Sequence, residues 1–416
     1  MTLTSTRNDT LLLFVAITLG MAFGILQPDL AVRMKPLSDL FLTVIGHAVP
    51  VLMFVLVASA VAGLGRRGEG RRCAGRMLLY FQLVGVLALI TGAAAALLLA
   101  PGADSPSTGA VAAAAPPVDV WAAVTSGLTQ VLGHTLILPI LLAALAFGLW
   151  LGLSGTVGEP WRRGLDACVD GLLAALRLLL RFAPLAAFGA MAFTFGRYGP
   201  ASAWPLLKFI GTVYLACFLF VVLVMGTLAR CTGFGLWRLV LYIKEELCLV
   251  AFTGASVAAV PGLVDKLERA GCDRALLRLV LSSGYTFNLA GSNIYLTCAI
   301  VFLAQLAGVS FDGAQWLSLL LVTLLTSLGS TSAAGSSFLT LAATLGALGL
   351  VPLDSLGILL GVERLMKCRS LTNVLGNSLA CLVIAAWSGA LDRAALREAL
   401  GARRKTALAD AMAGKR

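Results

Sequence analysis

Apolar residues run through this chain in blocks, each about the 20 helical residues that cross a hydrocarbon layer of ~30 Å, with short polar or basic loops between them. The first two blocks, Thr10–Leu26 and Leu40–Leu64, lead to a loop carrying Arg66, Arg67, Arg71, Arg72 and Arg76. The third, Met77–Ala100, opens into residues 101–120, which are rich in Pro, Ala, Ser and Gly and contain no Lys or Arg. Positive charge marks the cytoplasmic side, so the arginine loop is predicted inside and 101–120 outside. Arg33 and Lys35 in the first outer loop run against this rule and are outweighed by the arginine loop. Trp121–Leu153 is too long for one plain helix and holds Gly133, His134 and Pro139, which predicts a broken fourth span. Leu172–Phe195 and Trp204–Leu228 make spans 5 and 6, and the chain returns inside at Arg230, Arg238 and Lys244.

Two later blocks depart from the alternation. Leu247–Val264 has Lys244 before it and Lys266, Arg269, Arg274 and Arg278 after it, so both ends are predicted on the cytoplasmic side. The block must then enter and return, folding about Thr253-Gly254-Ala255-Ser256. Gln315–Leu350 has Asp312 and Asp354 at its flanks, no Lys or Arg, and a polar tip over residues 326–337; it is predicted to enter from the opposite face. Irregular backbone at membrane depth persists only where protein or a water-filled cavity satisfies its polar groups, so two such hairpins imply a cavity. Each is followed by a span: span 7, about Leu279–Ala307 and interrupted at Asn288–Asn293, and span 8, about Leu356–Trp387. The predicted fold is an all-α polytopic membrane protein of eight transmembrane helices and two re-entrant hairpins in inverted repeats, the plan of secondary transporters.

Composition agrees and removes other classes. Of 416 residues, 59% are apolar and 12% charged, against roughly 25% charged in soluble domains, and the mean hydropathy is +0.94. The net charge of +11 falls in short loops and in the tail with Arg403, Arg404 and Lys405, which fits topology better than nucleic-acid binding. Nine cysteines without a CxxC indicate neither a disulfide framework nor a zinc site. No Walker loop or nucleophile–base pair stands out, so an enzyme or an ATP-driven pump finds no support. His47 and His134 are lone histidines in apolar runs and read as packing residues.

Ionisable residues at membrane depth are costly and suggest function, and span 8 concentrates them: Glu363, Arg364, Lys367 and Arg369, followed by Asn373 and Asn377. On a continuous helix Arg369, Asn373 and Asn377 share one side, while Glu363 and Lys367, spaced i,i+4, are predicted to pair with each other, or Glu363 with Arg364. That leaves the Arg369 guanidinium unpaired. Its planar fork suits a carboxylate, so the apparent ligand is an anion. The serines of the hairpin tips read either as turn formers or as hydroxyl and backbone donors to that anion.

At these residues the chain resembles the dicarboxylate/amino-acid:cation symporter family, nearest its bacterial C4-dicarboxylate carriers. The resemblance lies in Ala183–Thr194, Tyr242–Leu247, Gly284–Leu289, Leu341–Leu345 and Arg369–Asn373. It implies a fold like that of the glutamate-transporter homologues, a homotrimer in the bacterial inner membrane and both termini cytoplasmic. It also implies an elevator-like movement in which residues 1–244 supply the scaffold and oligomerisation spans, 245–390 the transport core and 391–416 a basic tail. Span 3 is expected to move with the core. Substrate contacts are implied at Arg369, Asn373, Ser256, Ser292, Ala333 and Gly335, and cation contacts at Asn288, Asn377 and Glu363, with Na+ or H+ as the coupling ion and no other cofactor. The implied substrate is a small dicarboxylate such as succinate, fumarate or malate.

Several positions depart from the family pattern. Ala290 stands where relatives place a sodium-coordinating aspartate, Asn377 where amino-acid carriers are acidic, and Val257 where the dicarboxylate branch often carries an acidic residue. The chain is one residue shorter between Glu363 and Arg369, and Met366 occupies the place of the carboxylate that holds a substrate ammonium. A carrier that has lost cation coupling and serves as an anion sensor or channel is the alternative reading.

Overall fold

The computed structural model describes residues 3–64, 71–103, 137–155, 157–253, 256–328, 336–351, 356–360 and 362–401. Among these the secondary structure is helical, apart from one backbone bridge between Cys272 and Leu391. The N-terminal half contributes α1 (Leu3–Leu26), α2 (Pro28–Val32), α3 (Lys35–Leu64), α4 (Arg71–Leu99), α5 (Ile137–Leu153), α6 (Glu159–Leu180) and α7 (Ala183–Tyr198). Next comes α8 (Ala203–Leu219), which passes through a π-helical turn at Phe220–Met225 into α9 (Gly226–Thr232) and then α10 (Leu236–Tyr242). Four helical stretches among the described residues are long and apolar enough to cross a membrane: Gly75–Leu99, Ala203–Thr232, Leu279–Ala307 and Cys368–Ser388.

These four match spans 3, 6, 7 and 8 of the sequence reading, except that span 8 begins later than expected. Span 5 differs further. Instead of one helix over Leu172–Phe195, α6 starts at Glu159 and ends at Leu180, and α7 restarts at Ala183 after a turn at Arg181 and Phe182. Pro184, in the first turn of α7, lacks an N–H and would clash with the preceding turn of a continuous helix. The break expected around Gly133 and His134 lies outside the described residues, whereas Pro139 lies within α5.

Two helix pairs fold back on themselves. In the first, α11 (Lys244–Thr253) and α12 (Val260–Arg269) are tied at their base by Lys266, whose Nζ lies 2.7 Å from Glu245 and 2.8 Å from Glu246. Burial alone would lower the Lys266 pKa, but the two carboxylates outweigh it and raise it. The Tyr242 hydroxyl closes the same corner by donating to the Lys266 carbonyl at 2.8 Å. In the second pair, α15 (Gly313–Ser327) opens with a capping box between Asp312 and Gln315. Its far end meets α16 (Ser336–Leu348) through the hydroxyls of Thr326 and Thr344, 2.7 Å apart. Residues 254–255 and 329–335, which belong to the segments expected from the sequence to form the two tips, lie outside the described residues.

Each pair is followed by an interrupted helix. The first runs as α13 (Arg274–Phe287) and α14 (Ala290–Ala307), the second as α17 (Leu356–Leu360), a 3-10 turn at Glu363–Leu365, and α18 (Cys368–Ser388). Helices α14 and α18 form the centre: α14 is buried continuously from Ala290 to Ala304, and α18 over most of Cys368–Ala385. A helix apolar on all faces must be enclosed, and here α4 and α8 do part of the enclosing. Cys298 donates to the Gly92 carbonyl at 3.1 Å, Gln305 to that of Ala96 at 3.0 Å, and Phe209 stacks on Phe302 with ring centroids 4.6 Å apart.

Candidate functional site

The break between α13 and α14 falls on Asn288 and Leu289, whose backbones leave the helical region (φ −123°, ψ 62° and φ −101°, ψ 56°). A helix start exposes backbone N–H groups that need acceptors. One comes from the other broken helix: the Asn373 side-chain oxygen accepts from the Gly291 N–H at 2.8 Å. The approach is close enough that a Cβ on Gly291 would collide with the Arg369 carbonyl oxygen, so glycine is required where α14 crosses α18. The Asn373 amide then donates to the Ser292 hydroxyl at 3.2 Å, which also accepts from Ser337 of α16 at 3.1 Å. Three elements thus meet on Ser292, all with buried side chains.

One turn before Asn373, Arg369 projects from the first turn of α18. A cation at a helix N-terminus is unfavourable against the helix dipole and needs compensation. Its Nε donates to the Met366 carbonyl at 3.2 Å, and its Nη2 to the Glu363 carbonyl at 3.3 Å and to the Glu363 carboxylate in a very short contact. The guanidinium lies over the Tyr295 ring, 4.3 Å from the centroid, a cation–π arrangement. Nη1 is buried and has no partner among the described residues.

Glu363 pairs with Arg369, which corrects the expectation that Arg369 is left unpaired; the Arg364 side chain lies outside the described residues. Spacing i,i+4 brings side chains together only on a continuous helix, and residues 363–365 form a 3-10 turn before α18 begins at Cys368. That turn brings Glu363 to the arginine six residues on.

A second polar pair sits one turn further along α18, where the Asn288 amide donates to the Asn377 side-chain oxygen at 3.0 Å. Their other amide atoms, Oδ1 of Asn288 and Nδ2 of Asn377, are buried without partners among the described residues. Ser256 reaches the same region from the first helix pair, its hydroxyl donating to the Ser370 carbonyl at 3.3 Å. Arg369, Asn373, Ser292, Ser256, Asn288, Asn377 and Glu363 therefore line the meeting of the two broken helices. Ala333 and Gly335 lie outside the described residues.

Sequence reasoning missed Tyr295 and the close approach at Gly291, whereas Ser337 fell within the second tip, whose serines it read as turn formers or donors to an anion. Tyr295 lies seven residues after Asn288, a helical repeat that was hidden by the break between them. With a buried cation, an open donor and hydroxyls nearby, the arrangement is suited to holding a carboxylate at Arg369 within a protein-enclosed site.

The chain matches the family model described as the sodium:dicarboxylate symporter family over residues 10–387. It is similar to a C4-dicarboxylate transport protein of Paraburkholderia xenovorans (strain LB400), 42% identical over 400 residues covering 93% of this chain and 94% of that one. A protein of the same description from Burkholderia multivorans is 42% identical over 92% of this chain and 93% of its own. The corresponding protein of Burkholderia thailandensis is 41% identical over 414 residues, 95% of this chain and 96% of the relative.

Proposed function

The chain belongs to the sodium:dicarboxylate symporter family, and from that membership and the site geometry we propose that it is a secondary active transporter of small dicarboxylates such as succinate, fumarate or malate. It is a multi-pass helical membrane protein and not an enzyme. The observation that carries the substrate class is the buried Arg369 with its open Nη1, set among hydroxyls where the two interrupted helices meet. In this reading Arg369 binds one substrate carboxylate, and Ser256, Ser292, Asn373 and the second tip with Ala333 and Gly335 close around the rest. The two folded-back helix pairs act as re-entrant hairpins of opposite orientation, and residues 245–390 move as an elevator against a scaffold of spans 1–6 in a homotrimer, span 3 moving with them. The protein resides in the bacterial inner membrane with both termini cytoplasmic, which Ser107→Cys and Ala409→Cys test by opposite accessibility to an impermeant thiol reagent.

Coupling is the point at which a second reading enters. Ala290 supplies no ligand, and the amides of Asn288 and Asn377 bond each other, so a sodium ion finds no carboxylate there. Weak sodium coupling, with a proton or an exchanged anion as driving force, follows from this. In its extreme form the protein is an anion sensor or channel. Uptake of labelled succinate into vesicles, with and without sodium or proton gradients, separates the readings: concentrative uptake under a gradient supports the carrier, equilibration alone the channel, and binding without flux the sensor.

A further inference from the structure

Glu363 and Arg369 are both deeply buried, at 4% and 9% exposure, and form an ion pair through Nη2. A carboxylate grips a guanidinium with two parallel hydrogen bonds through either of two edges, Nη1 with Nη2 or Nε with Nη2. Both edges use Nη2. That nitrogen already donates to the Glu363 carboxylate and to the Glu363 backbone carbonyl, and Nε is taken by the Met366 carbonyl. An incoming carboxylate thus meets an arginine on which, among the described residues, Nη1 alone is open, and the stronger two-bond grip requires Glu363 to leave.

The segment that carries Glu363 is built to allow this. It is a three-residue 3-10 turn between α17 and α18, so the side chain can swing away without unwinding a long helix. The Tyr295 ring, 4.3 Å from the guanidinium carbon, takes up none of its N–H donors, so this contact does not depend on which carboxylate they hold.

We propose that Glu363 is a tethered competitor for the substrate: its carboxylate occupies Arg369 in the empty protein, and a dicarboxylate binds fully only by displacing it. The inference rests on Arg369 being the substrate-binding cation. It makes Glu363 an affinity-setting residue, because the observed affinity is the intrinsic one reduced by the fraction of protein in which Arg369 is free. A ligand with a second carboxylate offsets that loss through its other end, among the hydroxyls of Ser292 and Ser337. A monocarboxylate has no such contact.

The test is binding of labelled succinate and of butyrate to the purified full chain, unmodified and as Glu363→Gln, Glu363→Asp and Arg369→Ala. Glu363→Gln should tighten both ligands by a common factor of about ten or more, since both meet the same competitor. Glu363→Asp, a shorter carboxylate that still carries charge, should fall between. Equal or weaker succinate binding by a folded Glu363→Gln protein overturns the proposal, as does failure of both Glu363 variants to fold, which would make the residue a structural tie. Loss of binding in Arg369→Ala together with no tightening in Glu363→Gln defeats the competitor alone, whereas undiminished binding in Arg369→Ala defeats the reading of Arg369 itself.

Discussion

The Arg369 guanidinium carbon lies over the Tyr295 ring, 4.3 Å from its centroid, joining the first turn of α18 to the second turn of α14. This contact holds the cation against the aromatic ring and uses none of its N–H donors. A desolvated cation–π contact is worth up to ~2 kcal/mol, so Tyr295→Leu should weaken succinate binding by about three- to thirtyfold. Tyr295→Phe keeps the ring and removes a buried hydroxyl that has no partner among the described residues. It should bind as the unmodified protein does and unfold at the same or a higher temperature. Equal losses in the two variants would mean that the hydroxyl, not the ring, is what matters.

What the sequence made legible follows from what a linear pattern encodes. Apolar run length placed spans 3, 6 and 7, and the Asn-rich interruption placed the break before α14, because both are local properties of the chain. The adjacency of Arg369, Asn373 and Asn377 was legible for the same reason: they lie within one uninterrupted helix. The partner of Glu363 was not, since it depends on a 3-10 turn just before α18 that hydropathy does not report. Tyr295 was also missed, because an aromatic residue in an apolar run looks like packing until the cation from another helix is placed over it.

Gly291 gives a prediction about assembly of the site. A Cβ there meets the Arg369 backbone, which cannot move without displacing the start of α18. Overpacking of this kind costs roughly 1–3 kcal/mol, so Gly291→Ala should lower the unfolding temperature and weaken succinate binding at once. A control at Gly211, which has open space around it, should do neither through steric overlap. If Gly291→Ala behaves as that control does, the crossing of α14 over α18 is looser than described.

Cysteine chemistry tests the turn between α12 and α13. Burial, then the neighbouring Asp273 charge, pushes the Cys272 thiol from the ordinary 9.0 up to about 12. The thiolate is the reactive form, so at pH 8 its fraction falls by about three orders of magnitude. Maleimide should label exposed Cys231 and spare Cys272 in the folded protein, with Cys272 labelling rising as pH climbs toward 12. Rapid labelling of Cys272 at pH 8 would show that the turn opens.

The sodium prediction turns on the Asn288–Asn377 pair. A hard cation takes oxygen ligands and is held most firmly where one carries charge. Here Asn377 presents its oxygen to the Asn288 amide and leaves its own Nδ2 buried without a partner among the described residues. Asn377→Asp would keep the hydrogen bond from Asn288 on one oxygen and replace the orphaned nitrogen by a second, charged oxygen of the same shape. The unmodified protein should bind succinate with affinities within about threefold at zero and saturating sodium, and Asn377→Asp should create a sodium-dependent tightening of about tenfold or more. By linkage, succinate should then tighten sodium by the same factor in that variant. A large sodium dependence already present in the unmodified protein would refute the weak-coupling reading and place the ion's ligands elsewhere.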